Sequence, residues 1–198
     1  MQMVQMAAID KADTAWILVS TVLVLLMTLP GIALFYAGLV RRKNVVNTIV
    51  AVFAVAAVVS LTWFAVGYSL AFSKSSAWLG GLDRAWFSAM RLDAAAGTVS
   101  VSHLAPNIPE ALYALFQMAF AVITTTLIIG AVVERMRFSA LLLFSALWSV
   151  LVYAPVAHWV WESDGWLNKL GALDFAGGAV VHVNAGVSAL VCAAMLGR

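Results

Sequence analysis

The sequence predicts an all-α, polytopic membrane protein with five transmembrane helices. Of its 198 residues, 64% are hydrophobic and only 10% are charged, whereas soluble domains are about half apolar and about a quarter charged. A chain of this length cannot bury so much apolar surface in its own core, so lipid must be part of its solvent. Five apolar stretches are also each long enough to cross a bilayer, which takes about 20 residues.

Each of the five stretches is interpreted as one transmembrane helix. In the first, Pro30 and Gly31 predict a kink, because proline removes a backbone hydrogen bond of the helix. Pro109 suits the first turn of the third helix. Residues 1–13 are expected to form an extracellular tail that precedes a membrane domain over residues 14–198. The predicted spans are residues 14–39, 45–72, 109–133, 138–161 and 175–196.

Basic residues predict the orientation of these helices. Those near short loops fall on one side, which the positive-inside rule assigns to the cytoplasm. They are Arg41, Arg42, Lys43, Arg135, Arg137 and Arg198. We therefore expect a multi-pass protein of the cell (inner) membrane with its N-terminus outside. The outer side has two long connections. Residues 73–107 are predicted to be an irregular loop with a short interfacial helix near residues 84–90, and residues 162–173 form the second connection.

Several classes of function lack support in the sequence. The single cysteine, Cys192, lies in an apolar run, and no HxxxH or CxxC spacing occurs, so neither a metal site nor a haem is expected. The sequence shows no glycine-rich phosphate loop and no nucleophile–base arrangement. The formal net charge is +2 without a long basic run, which gives no indication of nucleic-acid binding. We therefore expect a protein that is not an enzyme and has no cofactor.

Polar residues interrupt the fifth apolar stretch, which reads ALDFAGGAVVHVNAGVSAL. Asp174 precedes His182 by eight residues, a helical rise of roughly 12 Å that places His182 near the bilayer midplane. Asp174 suits two roles, a cap of free N–H groups at a helix start or an acid at the mouth of a cation path. His182 also has two interpretations, a packed ring between helices or part of a substrate or proton path.

Aromatic residues collect towards the outer ends of the third and fourth predicted spans. Phe116 and Phe120 are four residues apart and share one helix face, where they either pack or line a vestibule. Trp161 ends the fourth span at a similar depth, and aromatic faces attract small cations. His158 is expected to be an interfacial ring near the same end, and His103 a solvated ring in the outer loop.

Four segments together resemble the ammonium transporter family (Amt/Mep/Rh), in the family's order and at nearly its spacing. They read TLPGIALFYAGLVRRKNV, FQMAFAVITTTLIIGAVVERMRFSA, YAPVAHWVW and GALDFAGGAVVHVNAG. The resemblance implies a fold of eleven spans, of which the first ten form two inverted repeats of five around a narrow pore, in a homotrimer. This chain corresponds to the N-terminal five-span half.

The resemblance also implies roles for five residues. Trp161 is similar to the tryptophan that holds ammonium at the outer vestibule through a cation–π contact. Phe120 resembles the phenylalanine that lines this vestibule and forms half of the gate, and Phe116 an aromatic residue just above it. Asp174 resembles the acid that favours recruitment of the cation. His182 resembles the first of two pore histidines.

The implied function is transport of ammonium, ammonia or methylammonium through a hydrophobic pore. Ammonium would be recruited, deprotonated and passed along the pore histidine, because an unsolvated cation in an apolar pore is costly. A trimeric cytoplasmic nitrogen-regulatory protein is the implied partner. Two alternatives stay open: an ammonium-sensing membrane domain coupled to a signalling partner, and an incomplete half that is inactive alone.

The sequence departs from the family pattern in two respects. It ends after the fifth span, so the partner histidine, the opposing gate phenylalanine and a vestibule serine of the second repeat are not in this sequence. The loop after Trp161 reads ESDGWLNK, with more acids and less glycine than the family pattern. We expect this loop to be solvated, with the alternative that its acids enrich cations nearby.

Overall fold

The computed structural model describes residues 4–197, in which five helical segments are long and apolar enough to cross a membrane. The predicted all-α, five-span architecture is confirmed. Residues 1–3 of the predicted tail, and Arg198, which the sequence assigns to the cytoplasm, lie outside the described residues. The first to fifth spans are Lys11–Leu39, Arg42–Phe72, Glu110–Val132, Phe138–Lys169 and Gly178–Leu196.

Four of the spans, within the described residues, contain a π-helical segment, in which hydrogen bonds join residues five apart. In the first span this segment includes Pro30, where the sequence predicts a kink. In the fifth it includes His182. The π-helical segments are Met27–Ile32, Trp63–Gly67, Ser149–Tyr153 and Gly178–Val183. The α-helical parts are Lys11–Leu26, Ala33–Leu39, Val45–Thr62, Tyr68–Phe72, Glu110–Val132, Phe138–Trp148, Ala154–Trp161, Trp166–Lys169 and Asn184–Leu196.

A small antiparallel sheet covers the end of the bundle at which the first span begins, here called the N-terminal end. Strand β3 pairs with the three other strands, through Met6 opposite Ser100, Leu92 opposite Val99 and Val101 opposite Pro109. The strands are β1 (Met6–Ala7), β2 (Leu92–Asp93), β3 (Thr98–Ser102) and β4 (Ala105–Pro109). Strand β4 leads directly into the third span, so the sheet is joined to the bundle by the chain itself.

The structure corrects two expectations for residues 73–107. Residues 73–107 are not simply an irregular loop, because they contribute β2, β3 and part of β4. The interfacial helix expected near residues 84–90 is reduced to a 3₁₀ turn at Ala85–Phe87. The predicted N-terminal tail also contributes a strand, β1, and helix begins within it at Lys11. The sequence of β3, TVSVS, alternates β-branched residues with serines, which is typical of a strand. This pattern could have predicted β3 from the sequence.

The third span lies at the centre of the bundle, where it packs against the first, second and fifth spans. It carries three consecutive buried threonines, Thr124, Thr125 and Thr126. Their hydroxyl groups donate to main-chain carbonyls of the preceding turn at 2.5, 3.0 and 2.8 Å. These bonds satisfy polar groups for which a membrane interior offers no water.

His158 corrects a further expectation. Instead of an interfacial ring, it is a fully buried one, with 0% of its surface exposed. Its Nδ1 lies 2.9 Å from the carbonyl oxygen of Ala71 and its Nε2 lies 2.8 Å from that of Ser76. The ring therefore joins the fourth span to the end of the second span and the loop that follows it. This is a packing role, since both ring nitrogens already have main-chain partners.

Gly130 allows a close contact between the first and third spans. A Cβ atom at this position would lie 2.6 Å from Cε1 and 2.8 Å from Cζ of Tyr36. The Tyr36 hydroxyl donates to the carbonyl oxygen of Leu127 at 2.8 Å. The ring of Tyr36 thus packs against the third span at Gly130, which has no side chain, and the hydrogen bond to Leu127 connects the two helices.

We predict that Gly130→Ala destabilises the protein, because the new methyl group overlaps the Tyr36 ring and displaces its hydroxyl from Leu127. Overpacking of this kind costs about 1–3 kcal/mol. The measurement is thermal unfolding of the purified protein in detergent. Gly38→Ala is the matched control. Gly38, in the first span, is a helical glycine like Gly130, but a Cβ atom added there would have no atom within 4 Å. Equal midpoints for the two variants would contradict the prediction.

At the opposite end of the bundle, Glu134, which follows the third span, holds the first two spans to the third. Its Oε1 accepts hydrogen bonds from Asn44 Nδ2 at 2.5 Å, Arg41 Nε at 3.2 Å and Arg41 N at 3.3 Å. The bond from Asn44, followed by that from the Arg41 side chain, holds the pKa of Glu134 below its ordinary value. The carboxylate thus connects the loop between the first two spans to the end of the third.

The lowered pKa of Glu134 predicts a pH dependence of stability. Its contribution is present above the ordinary carboxyl pKa and is lost as the pH falls through the lowered value, because protonation removes the acceptor charge. Glu134→Gln should therefore lower the unfolding midpoint at neutral pH, and the difference from the parent should shrink in acid. The side chain is exposed, so high salt should also reduce the difference. A difference that grows in acid would refute this assignment.

Candidate functional site

Three aromatic rings meet near the N-terminal end of the bundle. The ring centroids of Phe116 and Phe120 are 5.1 Å apart at an interplanar angle of 84°. Those of Phe120 and Trp161 are 5.8 Å apart at 75°. All three side chains are half-buried. The third and fourth spans therefore bring together the three rings that the sequence singled out, in edge-to-face contacts that suit aromatic pairs.

Asp174 joins this aromatic cluster to the start of the fifth span. The indole Nε1–H of Trp161 donates to the main-chain carbonyl oxygen of Asp174 at 2.8 Å. The carboxylate of Asp174 faces the other way and accepts three main-chain N–H groups, from Gly178 at 2.7 Å and from Ala179 and Val180 at 2.9 Å each. The capping interpretation of Asp174 is thus the one that the geometry shows, because the side chain saturates the helix start.

Gly177 makes this cap sterically feasible. It adopts a left-handed conformation with φ of +81°, which glycine reaches without strain. A Cβ atom there would lie 2.6 Å from Cγ2 of Val181 and 3.9 Å from the indole of Trp161. The carbonyl oxygen of Gly177 accepts hydrogen bonds from both Val181 and His182 at 2.9 Å. The turn that begins at Gly177 therefore also fixes the backbone of His182.

The imidazole of His182 lies on an exposed face of the fifth span. Val180 and Val181, immediately before it, are buried against the bundle. Within residues 4–197, no hydrogen bond or ion pair to the His182 ring is found, and none joins it to the aromatic cluster. The ring is therefore not packed between the helices of this chain, and it points to a side that the five spans leave uncovered.

Comparison with known proteins now identifies the family. The sequence profile described as Ammonium Transporter Family matches residues 15–198. The chain belongs to the Ammonium Transporter Family. The resemblance seen in the four sequence motifs is thereby confirmed.

Two solved structures and one sequence relative illustrate the relationship. The ammonium transporter of Bacillus subtilis (strain 168) is 49% identical over 189 residues, which cover 96% of this chain and 45% of the relative. The crystal structure of Candida albicans Mep2 matches with a TM-score of 0.80 at 37% identity, over 96% of this chain and 40% of that one. A structure described as a sensor Amt protein matches with a TM-score of 0.78 at 28% identity, over 93% and 44%. The chain thus spans less than half the length of these relatives.

In this member of the Ammonium Transporter Family, sequence reasoning missed one pair of residues beside the aromatic cluster. His103 Nε2 lies 2.7 Å from Oε1 of Glu162, the residue that follows Trp161. The Glu162 side chain is 0% exposed and that of His103 is 19% exposed. The expectations of a solvated His103 and a solvated loop at Glu162 are therefore wrong. The two residues are 59 positions apart, so only the tertiary fold brings them together.

The charges of this family member form no evident metal site. Among residues 4–197, no group of three or more His, Cys, Asp or Glu side chains could hold a metal ion. A buried ion pair between Arg84 and Glu110 lies at the same end of the bundle, and the hydroxyl of Tyr68 donates to Glu110 Oε1 at 3.0 Å. Glu110 and Glu162 are thus each bonded to protein groups through Oε1.

We predict that Asp174→Ala opens the first turn of the fifth span, because three main-chain N–H groups lose their acceptor. Loss of a helix cap costs about 0.5–2 kcal/mol. Hydrogen exchange of the purified protein should show faster exchange of the Gly178, Ala179 and Val180 amides. Asp164→Asn is the control, since Asp164 is an exposed acid nearby that pairs with Lys169 at 3.4 Å. Unchanged protection of the three amides in Asp174→Ala would show that the cap is dispensable.

Proposed function

We propose that the protein transports ammonium or ammonia across the membrane. The observation that carries this proposal is the position of Trp161, whose ring contacts Phe120 while its indole N–H is bonded to Asp174 at the start of the fifth span. This arrangement places a cluster of aromatic faces and edges at the head of the helix that carries His182. Membership of the Ammonium Transporter Family supports the substrate class.

The first step is recruitment of the cation at the aromatic cluster of Phe116, Phe120 and Trp161. The faces of these rings attract a small cation through their quadrupoles, and tryptophan does so most strongly. The carboxylate of Asp174 is engaged by three N–H groups, so its role is to hold the turn in place and to add a fixed negative charge. It is not a direct ligand in this proposal.

The second step is transfer of a proton from ammonium at the gate to the imidazole of His182, so that neutral ammonia moves on. Ammonium that enters an apolar passage loses its hydration, whereas ammonia is neutral and passes at much lower cost. Phe120 forms one wall of this gate, and His182 offers a hydrogen-bonding ring beyond it, at the depth where solvation is poorest. Potassium cannot release a proton, so the same passage discriminates against it.

The uncovered face of the fifth span is the expected contact for a second five-span unit. It exposes His182 together with apolar side chains such as Val183 and Val187. In transporters built from inverted repeats, the transport site lies between the repeats near the midplane. We propose that the pore is completed there, in a homotrimer of the inner membrane with residues 1–13 outside and residues 14–198 in the membrane domain. A cytoplasmic nitrogen-regulatory trimer is the proposed partner.

A sensor of ammonium is the second candidate function. The likeness to a sensor Amt protein, at a TM-score of 0.78, favours it, because the same five-span arrangement occurs in that protein. A sensor would bind ammonium at the same aromatic cluster and pass the signal to a partner instead of supporting net uptake. A third hypothesis is that the chain is an incomplete half that is inactive alone. It predicts neither uptake nor binding of ammonium by this chain.

The test of transport is uptake of radiolabelled methylammonium by cells that lack their own ammonium transporters and express the complete reading frame. We expect uptake that excess potassium does not inhibit. Asp174→Ala should abolish uptake while the protein still reaches the membrane. Trp161→Leu should raise the half-saturating concentration about threefold, the equivalent of one exposed cation–π contact.

Trp16→Leu is the matched control for this experiment, because Trp16 is 71% exposed and lies outside the aromatic cluster. Its half-saturating concentration should equal that of the parent. Ammonium binding without uptake by the parent would favour the sensor, and normal uptake by Asp174→Ala would remove the role proposed for that residue.

A further inference from the structure

A buried acid, Glu162, follows the helix Ala154–Trp161 of the fourth span and has no role in the proposed transport steps. Glu162 directly follows Trp161, where the helix ends, and its main-chain N–H still donates to the His158 carbonyl oxygen at 3.2 Å. Its Oε1 lies 2.7 Å from His103 Nε2 and accepts the Ser163 hydroxyl at 2.9 Å. The side chain is 0% exposed, so this carboxylate belongs to the interior of the protein.

The partner of Glu162 comes from the strand hairpin. His103 lies in the turn between β3 and β4, and β4 runs directly into the third span at Glu110. The third span carries Phe116 and Phe120, whereas Glu162 adjoins Trp161. The pair between His103 and Glu162 therefore joins the two chain segments that supply the opposing rings of the aromatic cluster.

Trp161 is consequently held from two directions. Its indole N–H is bonded to the Asp174 carbonyl oxygen at 2.8 Å. Its main chain is held by the next residue, whose side chain is bonded to His103 and whose carbonyl oxygen accepts the Gly165 N–H at 2.9 Å. A shift of Glu162 would turn the Cα–Cβ bond of Trp161 and move its ring relative to Phe120.

The energetics indicate that this pair has a specific role. Removing a carboxylate from water is costly, and Oε2 of Glu162 is buried without a hydrogen-bond partner among the described atoms. An apolar side chain of similar size would fill the same space without that cost. Buried ionic pairs that persist despite such a cost fix a particular arrangement in several proteins.

We infer that His103 and Glu162 are positioning residues that set the placement of Trp161 for ammonium recruitment. The inference rests on the proposed function and deepens it. The competing explanation is that Glu162 attracts ammonium directly by its charge. The two explanations predict opposite effects of removing His103, because this change disrupts the position of Glu162 but leaves its negative charge in place.

The experiment measures methylammonium uptake by the complete protein with three variants. His103→Leu and Glu162→Gln should each raise the half-saturating concentration about threefold, as Trp161→Leu does, with the maximal rate little changed. His103→Gln should restore recruitment in part, since its amide can still donate to the carboxylate. Asp164→Asn is the control, because it removes an exposed acid from the same loop without touching the pair.

A lower half-saturating concentration in His103→Leu would overturn the inference in favour of direct attraction, and an unchanged one would overturn it as well. A second measurement does not depend on transport. In the purified protein labelled with 5-fluorotryptophan, the Trp161 fluorine resonance, assigned by Trp161→Phe, should shift in His103→Leu and return towards the parent in His103→Gln. A parent that fails to take up methylammonium would defeat the proposed function, while an unmoved Trp161 resonance would defeat the positioning role.

Discussion

The three hydrogen bonds to the carboxylate of Asp174 are the interaction on which the part of the site around Trp161 depends. A helix that begins within a membrane protein has free N–H groups that lipid cannot satisfy. Asp174 accepts those of Gly178, Ala179 and Val180, and this leaves its own carbonyl oxygen free for the indole of Trp161. Asp174 therefore holds both the start of the fifth span and the indole of Trp161, so its capping bonds are compatible with the recruitment role proposed for this region.

The same requirement is met by several other buried polar groups among the described residues. The threonines of the third span donate to their own helix, and His158 lies between two carbonyl oxygens. At the N-terminal end, the buried carboxylates have side-chain partners, Glu110 with Arg84 and Glu162 with His103. Paired charges and self-satisfied hydroxyls are the arrangements that a low-dielectric interior tolerates. His182 differs from all of them, since its ring has no such partner within the described residues.

The parts of the fold that could be predicted from the sequence are the membrane spans, because a bilayer requires each of them to be a long, contiguous apolar segment. Five apolar stretches gave five spans, because length and hydropathy are properties of contiguous residues. The sequence left two roles open for Asp174, and capping was one of them because the aspartate and the apolar helix that follows it are adjacent in the chain. The motifs that carry Phe116, Phe120 and Trp161 pointed to the family, but their ring contacts depend on helix packing that no local pattern encodes.

The errors concern contacts between residues distant in sequence. A lone glutamate after a helix is typical of a solvated loop, and only the return of the β3–β4 hairpin buries Glu162 against His103. Likewise, His158 near a helix end is typical of an interface, and only the loop at Ser76 encloses it. The small sheet was missed because its strands are two to five residues long, too short for a clear alternation, and they pair across the gap between β1 and β3.

The uncovered position of His182 bears on where the proposed transport chemistry would occur. Gly178 and Gly186 lie four residues to either side of this histidine, and a Cβ at Gly186 would meet no atom within 4 Å. Contact with lipid would stabilise this strip of one imidazole and two glycines only weakly. The ring would have no hydrogen-bond partner there, and the glycines have no side chains to pack against acyl chains. The strip suits close approach of another helix or passage of a small polar solute. The aromatic cluster is assembled within this chain, whereas the passage proposed below it has no second wall among the described residues. The proposed recruitment and conduction would therefore depend on different parts of the protein.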